Sequence, residues 1–526
     1  MTETIPATEE QATTTIHRAF KFCLDPNERQ ETLLFRNAGS ARFAYNMMIA
    51  YNAEVDAKRK AYWKKRKDEE ATDAEIKKEL TALAKEDSSY KTIGFQKFAT
   101  EQLSPEITRH REAAKAIAEG ADPEEVWPSE SERSSEPWLH TVPRRVLVSG
   151  LQSADKAWKN FFDSRTGGRA GKLMGTPKFK SRSGSRDSFT IPSPEAMGGI
   201  GEGYHLSEPE YTIRLKRMKR NKRKGRPTIV DYRHVRLSHL GVIRTHDTTK
   251  DMAKAVKRGG KIRSYTVSRS ADRWYVSFLV EMEMPIAEPT RAQKAAGAVG
   301  VDLGVKYMAA LSDPNAPERF KNYPELEFTG DGSATIKNPR WAKASEKRIT
   351  KLQRKLARQQ KGSNRWKATK KKLAHEMHLV ALRRESTLHQ VSKRLATGYT
   401  LIGIEDLGVA GMTASAAGTI EEPGKNVRQK AGLNKAILDV SFGTLRRQVE
   451  YKAPWYGSEV QTVDRFFPSS QICSACGERV TQKLNLSDRT YKCEHCGETI
   501  DRDVNAARNI GAEAVRLHKE AAKKQS

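Results

Sequence analysis

Two groups of side chains toward the end of this chain have the types and spacing for metal chemistry. Four cysteines form Cys473-Ser-Ala-Cys476 and Cys493-Glu-His-Cys496, a C-x2-C-x16-C-x2-C pattern. Each C-x2-C turn puts two thiolates on one side of an ion, and two such turns make a tetrahedral sulfur site with no open position. That predicts one structural Zn2+; iron in a rubredoxin-like site has the same geometry. His495 stands next to the last cysteine, but four thiolates already fill the shell.

The second group is carboxylates. Asp302 ends the apolar run Ala298-Val-Gly-Val-Asp302, and Glu405 ends Thr400-Leu-Ile-Gly-Ile-Glu405. Asp501-Arg-Asp503 opens the helical pattern Val504-Asn-Ala-Ala-Arg-Asn509. A lone acid on a buried strand is costly unless paired, and a cation would provide the pairing. Phosphodiester hydrolysis by two Mg2+ ions, ~3.5–4 Å apart, needs such hard oxygen ligands converging from separate segments. Each acid has a plainer reading. Asp302 could cap a turn, Asp406 could replace Glu405, and Asp501 or Asp503 could be a helix N-cap.

These residues need elements to position them, and the patterning supplies candidates. Thr15–Leu24 alternates and reads as a strand; from Glu28 to about Leu103 the spacing is helical and returns at 107–118 and 143–162. Residues 1–14 read as disordered, and Glu119–Pro137 as an exposed loop. Strands are predicted at 211–215, 261–269 and 273–281, then a linker at Pro285–Gln293. Cys23, in the first strand, reads as a small core residue.

Charge narrows the partners. The chain has 526 residues with 94 Lys+Arg against 65 Asp+Glu, a net +29. That excess costs self-repulsion and favours a polyanion partner. From Arg340 to Arg394 there are 18 basic residues against 3 acids, in a helical pattern broken at Gly362-Ser-Asn. Two antiparallel basic helices result, with Arg348, Lys351, Arg354, Lys355, Arg358, Lys361 and Arg365 as candidate phosphate contacts. A second run, Arg214–Arg226, contributes Arg214, Lys216, Arg217, Lys219 and Arg220. A solvated coiled coil and a loose hairpin tip are the plainer readings of these two stretches. Five cysteines make no disulfide framework, and no run is apolar enough for a membrane span. A reduced bacterial cytoplasm, beside the nucleoid, is the expected setting.

Gly300-Val-Asp302-Leu-Gly, Gly403-Ile-Glu405-Asp-Leu, the cysteine ribbon and Asp501-Arg-Asp503-Val-Asn-Ala-Ala-Arg-Asn-Ile510 together resemble the nuclease core of the TnpB-like RNA-guided nucleases. Gly175-Thr-Pro-Lys-Phe-Lys-Ser181, Lys361-Gly-Ser-Asn-Arg365 and Phe466-Phe-Pro-Ser-Ser-Gln-Ile-Cys473 agree with it. The longer helical region is most similar to a miniature type V CRISPR effector. The resemblance implies that Asp503, not Asp501, joins Asp302 and Glu405 as catalytic Mg2+ ligands. It implies a multidomain α+β fold. Residues 15–30 and 185–290 would form a wedge β-barrel, and 31–184 a helical recognition lobe. An RNase H-like (RuvC) nuclease domain at 296–468 and 499–526 would be interrupted by the zinc ribbon at 469–498.

The implied activity is that of an RNA-guided DNA endonuclease. A guide RNA, double-stranded DNA with a short adjacent motif, and single-stranded DNA as the cleaved substrate would be its partners. It would act as a monomer or as a homodimer on one RNA. A transposon-encoded TnpB nuclease, a guide-directed silencer that does not cut, and an unguided DDE-type transposase are the alternatives.

Overall fold

The computed structural model describes residues 13–127, 136–169, 171, 173–182, 184–192, 215–217, 229–237, 239–323, 326–330, 334–419, 421–480 and 488–525. At 215–217, 229–231 and 525 it describes the backbone alone. The chain divides into two compact units, Thr15–Glu283 and Met284–Ser526. Both are mixed α and β, so the chain is a multidomain α+β protein.

In the first unit the strands are β1 (Thr13–Asp25), β2 (Ser188–Pro192), β3 (Leu215–Arg217), β4 (Ile229–Asp231), β5 (His234–Leu237), β6 (Gly241–Thr245), β7 (Lys261–Ser270) and β8 (Arg273–Pro285). Six make one sheet in the order β2-β7-β8-β1-β6-β5, and β3 pairs with β4 alone. Among the described residues no pairing joins β2 to β5, so the described strands form a six-stranded sheet at the place of the expected barrel. The expected strand at 211–215 lies mostly outside the described residues. So does the expected disordered tail, except that β1 already begins at Thr13.

The helix Glu28–Asp68 starts at a capping box of Asn27 and Gln30. Its buried Leu34, Ala38, Ala41, Tyr45, Met48 and Ile49 follow the helical period and pack with the sheet residues Tyr265, Trp274 and Phe278. Of the loop expected at 119–137, residues 119–127 and 136–137 are described. A short helix, Pro123–Val126, precedes Trp127, which is buried with its ring 4.4 Å from that of His110.

The second unit carries β9 (Ala298–Asp302), β10 (Tyr307–Leu311), β11 (Thr335–Lys337), β12 (Leu401–Glu405) and β13 (Glu459–Val463) in the order β11-β10-β9-β12-β13. Strands β9, β12 and β13 are parallel, and β10 and β11 antiparallel. Their apolar runs are buried because helices cover the sheet. The two basic helices are Trp341–Ala357 and Asn364–Gly398, with Ser363 capping the second. Trp341 donates to Thr387 and Arg348 pairs with Glu376, so they run antiparallel. The stretch expected as a linker ends differently. Thr290 and Gln293 form a capping box for the short helix Arg291–Ala296. The buried Gln293 amide donates to Ala396 O, Tyr399 O, Tyr456 O and Ser458 Oγ at 2.9–3.2 Å.

Candidate functional site

Asp302 and Glu405 stand at the C-terminal ends of neighbouring parallel strands. The register pairs Ile404 with Val301, which puts the two acids side by side. The third acid comes from the C-terminal helix Arg502–Gln525, which lies directly across β9 and β12. Glycine permits that approach. A Cβ at Gly300 would collide with the backbone of Ala507 and Gly511, and one at Gly403 with Ala514. The helix therefore delivers its first turn, and Asp503, to the ends of the two strands. Asp302, Glu405 and Asp503 all line one cavity of about 590 Å³.

The two neighbouring acids, Asp501 and Asp406, have partners of their own. Asp501 Oδ1 accepts from the backbone N–H groups of Asp503 and Val504 at 2.8 and 3.3 Å, which is a helix cap's role. Asp406 is bridged by Arg446 and Arg465. Neither lines the cavity, whereas Glu405 and Asp503 do.

The cavity's electrostatics follow from this crowding. Burial pushes the Asp302 carboxyl well above its usual range, and the negative charges of Glu405 and then Asp503 push it further. Burial also raises Glu405, against the lowering effect of a 2.8 Å hydrogen bond from Ser469 Oγ. Desolvated, mutually repelling carboxylates with oxygen donors only are what a hard divalent cation would stabilise, so the residues fit Mg2+.

The four cysteine sulfurs lie within 4.8 Å of one another. Cys473–Cys496 and Cys476–Cys493 are each 3.6 Å apart. Zinc–sulfur bonds of ~2.3 Å in a tetrahedron put sulfurs about 3.8 Å apart, so the cluster is compatible with a structural zinc. Each knuckle is closed by its backbone: Gly477 N donates to Cys473 O, and Gly497 N to Cys493 O. The pair β14 (Thr490–Lys492) and β15 (Thr499–Asp501) leads from the second knuckle into the C-terminal helix. Two buried asparagines of that helix tie down the first knuckle. Asn505 accepts from Ser474 N and donates to Ile472 O; Asn509 donates to Ser469 O and Ile472 O.

Three family models match this chain. One described as "Cas12f1-like, TNB domain" covers residues 442–510, one described as "Probable transposase" covers 277–416, and one described as "Helix-turn-helix domain" covers 15–67. A protein of Escherichia coli (strain K12) named "Putative RNA-guided DNA endonuclease InsQ" is 28% identical over 494 residues, 94% of this chain and 91% of its own length. A "TnpB-like protein L79" of Acanthamoeba polyphaga mimivirus is 30% identical over 122 residues, 23% of this chain and 21% of its own. The "CRISPR-associated endodeoxyribonuclease Cas12f1" of Sulfoacidibacillus thermotolerans is 26% identical over 241 residues, 45% of this chain and 50% of its own.

The chain resembles the TnpB-like RNA-guided nucleases.

One part of this TnpB-like chain departs from the description of the model it matches. Residues 15–67 hold β1 and a single uninterrupted helix, not two helices joined by a turn. Among the candidate phosphate contacts, Arg348, Lys351, Arg354, Lys355, Arg358, Lys361 and Arg365 are all exposed. Lys351, Arg354, Lys355 and Arg358 line one groove along the first basic helix, and Arg348 is partly engaged by Glu376. Arg214, Lys219 and Arg220 lie outside the described residues, as do the side chains of Lys216 and Arg217.

The acids and cysteines were visible as motifs, but their neighbours were not. Lys306, Arg465, Arg479, Arg489 and Arg502 line the carboxylate cavity beside Phe466 and Ser469. Lys306 Nζ lies 3.6 Å from Asp501, and Arg502 lies 3.6 Å from Asp503. Ser469 and the two asparagines sat inside recognisable motifs, yet nothing in their spacing gave them a role.

Proposed function

We propose that this protein is an RNA-guided DNA endonuclease of the miniature type V kind, cutting DNA at the Asp302–Glu405–Asp503 cavity. The observation that carries the reading is the meeting of three acids from segments about a hundred residues apart in the sequence. Among the described residues only the cysteine sulfurs draw all their ligand atoms within 4.8 Å. The sheet order and the helix across β9 and β12 support an RNase H-like domain, with the cysteine ribbon inserted before its last helix.

Two Mg2+ ions held by these acids would supply a nucleophilic hydroxide and neutralise the leaving oxygen. The chain's own residues bind and orient. Ser469 holds Glu405 by its hydroxyl hydrogen bond. Lys306, Arg465, Arg479, Arg489 and Arg502 surround the cavity with donors for a phosphate backbone. Pairing between the guide RNA and the target strand would read sequence, and the protein a short motif in the adjoining duplex. The basic helix groove would track the backbone of a nucleic acid without reading bases. The zinc ribbon would hold the last acid in register, through Asn505 and Asn509.

A second reading keeps the chemistry but changes the source of the RNA. The family model matched over residues 277–416 is described as "Probable transposase", and that description favours a transposon-encoded nuclease over a CRISPR effector. Sequencing the RNA that co-purifies with the protein separates the two: array-derived repeats mark the effector, and RNA from a transposon end the other. The mass of that ribonucleoprotein gives one or two chains per RNA. Asp302→Ala tests the activity itself. It is expected to abolish cleavage while zinc content and RNA binding persist, and cleavage surviving it overturns the assignment. A wild-type complex that blocks transcription of its target without cutting is instead a silencer.

A further inference from the structure

The carboxylate cavity has a feature that metal ligation does not need. Phe466 lines it and is 85% exposed, the most exposed large apolar side chain among the described residues. That exposure is built. Asp464 Oδ1 accepts from Phe466 N at 2.8 Å, and Asp464 O from Phe467 N. The next ring, Phe467, turns inward onto Val463, Ile510 and Ala514. Beyond it, Ser469 N donates to Phe467 O, and Asn509 grips Ser469 O. Both sides of Phe466 are therefore anchored, and the turn holds one aromatic ring out in water.

The surroundings of that ring define what would cover it. Lys306, Arg465, Arg479, Arg489 and Arg502 line the same cavity, and Arg465, next in sequence, is held by Asp406. An aromatic face beside fixed cations is the recognition chemistry of a single nucleic-acid strand. Bases stack on the ring and phosphates meet the cations. A duplex offers no free base face there, because its bases are stacked on one another. An apolar protein surface would bury this group of cations at a heavy desolvation cost.

We propose that Phe466 is a stacking platform for one unpaired base of the DNA strand being cut. This rests on the nuclease reading above and names how its substrate is held. The anchored turn keeps the platform at a fixed place relative to Glu405, since Ser469 hydrogen-bonds that carboxylate. Stacking one base there would set which phosphodiester lies against the carboxylates. Every base has a face to stack, so the platform would fix the register of the cut without imposing a sequence.

The test uses the full chain with its co-purifying RNA. Phe466→Ala should raise KM for single-stranded DNA about tenfold and spread the cut positions, with a smaller effect on kcat. Phe466→Leu should behave like the alanine variant, and Phe466→Trp should keep wild-type behaviour. An abasic nucleotide scanned along the substrate should reproduce the defect at one position in wild type and add nothing in Phe466→Ala. A leucine variant equal to wild type, or no sensitive position in the scan, overturns the platform. Binding is read separately in the Asp302→Ala background with a 2-aminopurine-labelled strand, whose fluorescence stacking on Phe466 should quench. Quenching with a wild type that never cuts sinks the nuclease reading and keeps the platform. Cutting with no dependence on Phe466 sinks the platform alone.

Discussion

Asp302 is where single-residue chemistry is most exposed to test. Its carboxyl is pushed well above the usual range by burial and by its two acidic neighbours, and Glu405 is raised by burial. A carboxyl raised in the fold holds its proton more tightly there than in the unfolded chain. These two groups therefore favour the folded, metal-free protein in acid, and that contribution is lost as pH rises through their folded values. Asp302→Asn should then stabilise the metal-free protein at neutral pH by on the order of 1 kcal/mol while abolishing cleavage, as sites strained for function often do. Paired thermal melts and a cleavage assay check both halves. Protons compete with Mg2+ for the same oxygens, so the Mg2+ concentration for half-maximal cleavage should rise as pH falls. Ser469→Ala removes the hydrogen bond on Glu405 and is expected to lower cleavage about tenfold with zinc content unchanged. A Mg2+ titration of the variant shows whether metal affinity carries the loss.

At the scale of elements, the C-terminal helix is the part on which the site depends. It lies so close to β9 that a side chain at Gly300 has no room. Gly300→Ala should cost about 3 kcal/mol in denaturant unfolding and remove cleavage, because the helix must lift and take Asp503 with it. Cys493→Ser should lose the zinc and the activity together, since the knuckles are tied to the same helix by Asn505 and Asn509. Zinc content and cleavage measured on one preparation check this.

Much of this was readable in advance. An acid closing an apolar run, twice, and a cysteine ribbon before a third acid are local patterns. Spacing alone left Glu405 against Asp406 and Asp503 against Asp501 open, and the family resemblance favoured Glu405 and Asp503. That Arg446 and Arg465 bridge Asp406, and that Asp501 accepts from a helix's first N–H groups, are partnerships that no spacing shows. The linker expected at 285–293 differs only at its end. Thr290-x-x-Gln293 is a capping-box signal, but the proline and charges before it masked a helix start whose glutamine is buried. The barrel was expected from strand content and from the family resemblance, and neither carries information about whether the first and last strands meet.

For the molecule as a whole, the net charge of +29 is a property that no single residue pair explains. Affinity for nucleic acid should fall steeply with salt. Reversing Arg354 and Lys355 on the basic helix groove should flatten the log–log slope by about one for each phosphate left without its cation. A salt titration of binding measures that slope. The order of the acids along the chain has its own consequence. Translation reaches Asp302 and Glu405 well before the ribbon and Asp503. On this reading, a growing polypeptide that has passed Glu405 but not reached Asp503 carries two of the three acids, and the face bearing Gly300 and Gly403 stays bare until the helix Arg502–Gln525 is made. Such a nuclease would be unarmed for that stretch of its own synthesis.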